Sequence, residues 1–250
     1  MSHPPSTLVD VESPGEGRTG LGPGFLTGFA VLDVETTGLS PEEERIIEVG
    51  VVILDPAGVE LGSFCTLVDP GRHPGPTHVH GISGAMLEGA PTFTSIQPFL
   101  AHQLSGRVVV GHNVDGFDLA FLRAECRRAG GEGVVPGEVP TLDTWQLAQR
   151  HLGPACRAGL AECCGHFGLR WDDHHHALGD ARVTAALLAS LRAQLGDDHL
   201  QISSVLDRAR DSVWPGGSEV RPRVRVRGDA PGPRRWVDRW RRRLSRRVRR

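Results

Sequence analysis

The sequence predicts a mixed α/β fold, a sheet that opens with antiparallel strands and continues through strand–helix alternation. Three observations carry this. Three strand-like segments come first with no helix between them: "FAVLDVE" from Phe29, "RIIEVGVVILD" from Arg45 and "LGSFCTLVDP" from Leu61. A short apolar strand, "RVVVGHN" from Arg107, then runs straight into the helical pattern "DLAFLRAECRRAG" from Asp118. The strongest helical pattern, "ALGDARVTAALLASLRAQLG", comes last. Strands in succession followed by alternation with helices describe a sheet with an antiparallel part and a parallel part.

Each element has a local reason. The first strand is rich in β-branched and aromatic residues, and "DPAG" between the second and third is a turn signal. A Pro- and Gly-rich loop, "PGRHPGPTHVHGIS", precedes a helix through "SIQPFLAHQLSG". Gly130 closes the helix that starts near Asp118. After a Gly-rich loop, "TLDTWQLAQRHL" and "AGLAECCGHFGL" read as two helices, the first with a capping box from Asp143 to Gln146. The final helix is again ended by Gly. No internal repeat is apparent.

The chain of 250 residues divides by composition into three parts. Residues 1–24 are rich in Pro, Gly and Ser and are expected to be disordered, with no basic or apolar region of a signal peptide. Residues 25–197 hold the periodic elements. From 198 to 250 the periodicity weakens, which reads as a linker followed by an Arg-rich tail. The five cysteines show no CxxC spacing, and together with the absence of a leader they point to reduced thiols in the cytoplasm. No apolar run approaches a membrane span.

The net charge of −2 conceals a strong asymmetry, since all 28 basic residues are Arg. Fourteen of them lie in 221–250 beside only Asp229 and Asp238, so the rest of the chain is acidic. A basic tail on an acidic body calls for an anionic partner. Trp236, Trp240, Leu244 and Val248 recur every four residues, giving a helix an apolar stripe set among Arg. Capture of nucleic acid is the favoured role; a membrane-surface helix and a solvated tail are the alternatives.

The chemistry begins with "DVE". Asp33 and Glu35 project from one face of a strand whose other face is filled by Leu32 and Val34. Two neighbouring carboxylates repel unless a cation lies between them. Two further acids sit where burial is expected. Asp118 starts a helix after the buried strand, and Asp180 lies on a small, apolar helical stripe with Ala177, Ala181, Thr184 and Leu188. Four carboxylates without a Cys ligand suit Mg²⁺ or Mn²⁺, and two such ions would stabilise the attacking and leaving oxygens of phosphodiester cleavage. A general base working near neutral pH is best supplied by histidine, and His175 stands five residues before Asp180.

Asp33 and Glu35 in "DVETTG", Asp118 in "HNVDGFD", and His175 with Asp180 in "HHALGD" resemble, in order and spacing, the DEDDh 3′–5′ exonucleases. The best-known member type of that family is the proofreading epsilon subunit of bacterial replicative polymerase. The resemblance covers about residues 28–195. It implies a ribonuclease-H-like five-stranded sheet flanked by helices, two divalent ions, and removal of mononucleotides from a 3′ end. On that resemblance Asp33 would join both ions, Glu35 and Asp180 would hold the nucleophile-side ion, Asp118 the other, and His175 would be the base. Thr36, Thr37, Leu39 and His80 would contact the 3′-terminal nucleotide, with Leu39 against the base. The tyrosine-bearing sister group is excluded, because its tyrosine position is His176 and the chain has no tyrosine.

Two alternatives stay open within the motifs. An extra residue separates Asn113 from Phe117, so Asp115 competes with Asp118, although "FDLAFL" keeps the helix register and Gly116 can absorb the insertion. In the triple histidine His176 is second to His175. Trp145 and Trp171 read as packing residues rather than base-stacking platforms. The implied function is a metal-dependent 3′–5′ exonuclease on single-stranded or frayed DNA ends, of a proofreading or repair type that could work with a polymerase. The competing readings are an exoribonuclease of the same superfamily and a non-catalytic module that binds nucleic acid or a polymerase.

Overall fold

A central strand with different partners on its two sides organises the molecule. The computed structural model describes residues 27–130, 135–153, 159–172 and 174–227. Strand β1 (Gly28–Thr36) pairs antiparallel with β2 (Ile46–Leu54), which pairs antiparallel with β3 (Glu60–Leu67). On its other side β1 pairs in parallel with β4 (Arg107–Gly111), which pairs in parallel with β5 (Thr141–Asp143). The five-stranded order is β3-β2-β1-β4-β5. All nine residues of β2 are buried, as expected of a strand covered on both faces.

Helices cover both faces. Two short turns, α1 (Thr77–His80) and α2 (Gly84–Leu87), lie in the loop after β3. Helices α3 (Phe93–Leu104) and α4 (Asp118–Arg128) bury Ile96, Leu100, Phe121 and Leu122 against Ala30, Leu32, Val51 and Val109. The opposite face carries α5 (Thr144–His151), α6 (Leu160–Phe167), α7 (Ala177–Leu195) and α8 (Ile202–Arg210). There Phe29, Val31, Val108 and Val110 meet Ala148, Cys163, Leu187 and Val205. Asp33 and Glu35 continue the row of Phe29 and Val31 and so face the α7 side.

One glycine fixes how close α7 comes. Gly50 sits opposite Asp33 across the β1–β2 ladder. A Cβ there would lie 2.3 Å from the backbone of Ala177, so only glycine lets the start of α7 rest on the sheet at this point.

Two sequence expectations are corrected. "TLDTWQLAQRHL" is not one helix: Thr141–Asp143 form the edge strand β5, and α5 begins only at Thr144. A three-residue strand is too short to show a period, and its last residue doubles as the helix cap: Asp143 accepts from Trp145 N–H at 2.9 Å and Gln146 N–H at 3.4 Å. The linker expected from 198 is in fact packed chain as far as Trp214, and 218–227 are tied to the surface by hydrogen bonds. Ile202, Val205 and Ala209 of α8 are buried against one face of the sheet, and Trp214 joins the core of the other. Trp214 N–H donates to Ser105 Oγ at 2.9 Å, and Ser218 N–H donates to the Pro98 carbonyl at 2.8 Å. Residues 221–227 then run beside the edge strand β3, where Leu67 N–H donates to the Arg225 carbonyl at 2.7 Å. The expected disorder of 1–24 and the tail stripe from Trp236 to Val248 lie outside the described residues.

Because Trp214 is only 3% exposed, Trp214→Ala should lower the unfolding free energy by about 3 to 5 kcal/mol in a urea titration. A segment acting as a mere linker would give a change within about 0.5 kcal/mol.

Candidate active site

Four acids converge from three parts of the chain. Asp33 and Glu35 come from β1, Asp118 is the first residue of α4, and Asp180 lies one turn into α7. Asp118 and Asp180 are buried, while Asp33 and Glu35 are half-buried at the cleft. Loss of solvent and mutual repulsion push all four toward the protonated form. The Asp33 carboxyl is raised well above the ordinary carboxylate range, by desolvation first and then by Asp118, Asp180, Glu35 and Glu48. Glu35 is pushed up to about 8 by desolvation and by Asp180 and Glu48, against the opposing pull of Arg227. Asp180 is raised to about 7, again chiefly by desolvation.

The fold partly offsets this crowding. Val34 N–H of β1 donates to Asp118 Oδ1 at 3.0 Å, tying the start of α4 to the strand. Asp180 accepts from the indole Nε1–H of Trp171 at 2.6 Å and from the backbone N–H of His175. His175 has φ 56°, a left-handed conformation unusual outside glycine, at the turn that enters α7. Trp171, expected only to pack, thus orients a site carboxylate, with its ring centroid 4.0 Å from that of His174.

The structure separates the alternatives left open by the motifs. Donor atoms of Glu35, His175 and Asp180 lie within 4.8 Å of one another, and His175 is solvent-exposed. His176 instead points inward, with Nε2 3.9 Å from Glu48 Oε1. Asp118 belongs to the acid cluster, whereas Asp115 accepts from Thr141 Oγ1 at 3.1 Å. Asp115 also lines a separate cavity of about 420 Å³ with Gln146, Arg150, His151 and His199. The extra residue before α4 is absorbed at Asn113, with φ 70°, rather than by unusual backbone at Gly116. A Cβ at Gly116 would lie 2.6 Å from Asn113 Oδ1, so a larger residue there would have to displace that side-chain amide.

The expected nucleotide contacts fall into two groups. Leu39, in the turn that follows β1, is 85% exposed and leaves an apolar side chain at the surface. Thr36 and Thr37 are buried and spend their hydroxyls on the turn: Thr36 donates to the Gly38 carbonyl at 2.6 Å, and Thr37 donates to Glu44 while accepting from Arg45 N–H at 3.0 Å. His80 is also buried, and its Nδ1 accepts from Ile82 N–H at 3.0 Å, so its ring orders the turn.

Glu48 was not singled out by sequence. It is 0% exposed, stands opposite Glu35 in the β1–β2 ladder, and accepts from Ala177 N–H at 2.9 Å. Arg227 grips it through Nε at 3.0 Å and a terminal nitrogen at 2.9 Å. An acid in an apolar strand at i+2 spacing from a small residue was the available signal. Its partner, 179 residues away, gave none. Cys65 and His176 also lie near Glu48, but burial and the Glu48 charge push the Cys65 thiol well up, and Arg227 already supplies the positive charge there. At the main cluster the all-oxygen set of four carboxylates fits hard divalent cations, whose charge would relieve the repulsion that raises these groups.

Comparison with known proteins agrees with this geometry. The pattern of the Exonuclease family matches residues 30–188. The DNA polymerase III subunit epsilon of Treponema pallidum is 34% identical over 172 residues, covering 66% of this chain and 76% of that protein. The PolC-type DNA polymerase III of Thermotoga maritima is 31% identical over 187 residues, covering 74% of this chain. Of that much longer relative the chain spans only 13%. Among solved structures, E. coli exonuclease I in complex with a dT13 oligonucleotide superposes with a TM-score of 0.60 at 16% identity, over 69% of this chain and 42% of that one. The nuclease domain of 3′hExo, a DEDDh family member bound to rAMP, gives 0.56 at 20% identity, over 66% and 91% of the two chains. The sheet is therefore the ribonuclease-H-like one expected, and with more than half of its length matched the chain belongs to the Exonuclease family.

Proposed function

We propose that this chain is a metal-dependent 3′–5′ exonuclease that releases nucleoside monophosphates from single-stranded or frayed DNA ends, in proofreading or repair. The observation that carries the reading is the convergence of Asp33, Glu35, Asp118 and Asp180 with His175 at the carboxyl-terminal half of β1. The four carboxylates would hold two Mg²⁺ or Mn²⁺ ions, which when bound supply positive charge to the attacking and leaving oxygens of the phosphodiester. His175 takes the proton of the attacking water on a ring nitrogen and, being exposed, returns it to solvent. Trp171 and the His175 backbone hold Asp180 in place, and Leu39 lies against the terminal base. A polymerase is the proposed protein partner, in line with the relatives named above. The buried free thiols Cys65, Cys126, Cys163 and Cys164 accord with a reducing, cytoplasmic setting. The Arg-rich residues beyond 227 are proposed to capture nucleic acid.

Digestion of matched 5′-labelled DNA and RNA oligomers with Mg²⁺ or Mn²⁺ tests the reading. A ladder shortening from the 3′ end, faster on DNA and absent in Asp33→Ala and Asp180→Ala, is expected. Faster loss of RNA would place the chain with the exoribonucleases, and unchanged turnover in Asp180→Ala would end the two-ion assignment.

His175→Ala should lower turnover by about two to four orders of magnitude, the usual range for a general base. His176→Ala should do much less, because its ring faces Glu48. The opposite ranking would move the base to His176.

The raised carboxyls give a pH signature for the metal-free protein. Glu35 and Asp180 titrate near 8 and 7 in the folded state, well above their ordinary values of 4.5 and 3.8. Between those limits the folded state binds protons that the unfolded chain has released, so stability falls as pH rises. With EDTA present, the melting temperature should therefore drop between about pH 5 and pH 8, and Asp180→Asn should flatten the slope. Added Mg²⁺ should raise the melting temperature most at the upper end. A metal-free melting temperature that climbs through this window would contradict the crowded-carboxylate account.

A further inference from the structure

Residues 218–227 lie beyond the segment matched by the exonuclease family, which ends at 188. They nevertheless reach the site. The strap is tied to the Pro98 carbonyl by Ser218 N–H at 2.8 Å, and Arg225 N–H donates to Thr66 Oγ1 at 3.1 Å. At its end Arg227 makes three directed bonds. Two go to the two oxygens of Glu48, at 3.0 and 2.9 Å, and one goes to the His80 carbonyl at 2.7 Å. Glu48 Oε2 also accepts from the N–H of Ala177, the first residue of α7. His175 stands two residues before that point and Asp180 three after it.

We propose that Arg227 is a positioning residue for the exonuclease reaction, fixing the start of α7, and with it His175 and Asp180, against β2 and the His80 turn. A guanidinium suits the task because its planar fork meets both carboxylate oxygens while another edge donates elsewhere, which an ammonium cannot do with fixed geometry. The chain supplies this cation from its own C-terminal strap, not from the domain that carries the acids. Three of the five N–H donors of Arg227 go to Glu48 and His80, which holds the guanidinium on the protein rather than leaving it free to follow a phosphate. The ion pair also keeps Glu48 in the charged form that holds Ala177 N–H. A fully buried Glu48 without a partner would take a proton or draw in water, and either change disturbs its hold on Ala177.

The test uses the full chain and three variants, Arg227→Ala, Arg227→Lys and the double variant Arg227→Ala with Glu48→Gln. The glutamine keeps an acceptor for Ala177 N–H while removing the unpaired charge, so the double variant stays folded even if Arg227→Ala does not. Turnover is read on an aryl ester of a mononucleotide, which is too small to report on the grip of an Arg-rich tail on a polymer. A displaced catalytic group predicts kcat lower by about tenfold to a hundredfold, with KM within about threefold, in Arg227→Ala and in the double variant. Arg227→Lys should recover only part of the loss. Amide exchange across 174–182 in the metal-free protein should speed up by about tenfold in the double variant, even with its melting temperature restored. This readout needs no activity, so an inactive parent protein would count against the exonuclease reading while exchange still decides the role of Arg227. Wild-type turnover with unchanged exchange in the double variant would show that Arg227 only neutralises Glu48, and would overturn the proposal.

Discussion

Crowding of carboxylates over a single strand is the constraint around which the rest of the structure is arranged. At Asp33 every neighbour that moves its proton affinity is another acid, and all act in the same direction as burial. Nothing in the apolar packing favours such a cluster. Its members are instead held by specific polar partners: the Val34 N–H for Asp118, the Trp171 indole and the strained His175 turn for Asp180, and Arg227 for Glu48. A site that costs the fold stability has to be held by interactions which that cost does not disrupt.

The sheet topology explains why these supports come from distant parts of the chain. β1 is central, antiparallel to β2 and parallel to β4, so its carboxyl-terminal end is where both kinds of connection meet. The turn after β4 delivers Asp118 from one side. From the other side α7 crosses β1 and β2, and Gly50 allows its first residues to touch the sheet opposite Asp33. A larger residue at 50 would lift the start of α7 and draw Asp180 away from Glu35 without changing any acid. The precision of the cluster therefore depends on a position with no side chain.

Much of this was legible in the sequence, and the parts that were not share a physical reason. Asp33 and Glu35 could be read because a strand has a period of two, and Asp180 because it interrupts a helical apolar stripe. Asp118 and His175 needed the family resemblance to fix their register. β5 escaped because three residues carry no period. Trp171 was read as packing because an indole N–H leaves no pattern that names its acceptor. Glu48 and Arg227 escaped for the strongest reason, that a long-range ion pair has no local signature at either end. "VRPRVRVR" looks like tail composition until one of its arginines is seen seated beneath the acids.

That arginine also bears on the charge balance of the molecule. An acidic body offers a poor approach to a polyanion, and the cleft itself concentrates negative groups. The C-terminal part of the sequence carries positive charge of two kinds. Arg227 is largely enclosed, its side chain 13% exposed, and directed, opposing the upward shift of both Glu35 and Asp180 from its place on Glu48. The arginines that follow in sequence number ten against two acids. Charge of the first kind acts on geometry and is little screened by salt, because it lies inside the protein; charge exposed to solvent acts on encounter and is screened within about 10 Å at 0.1 M salt. On the proposed role of the Arg-rich tail, one C-terminal segment serves both the shape of the active site and the approach of substrate, and the two contributions separate by their response to ionic strength.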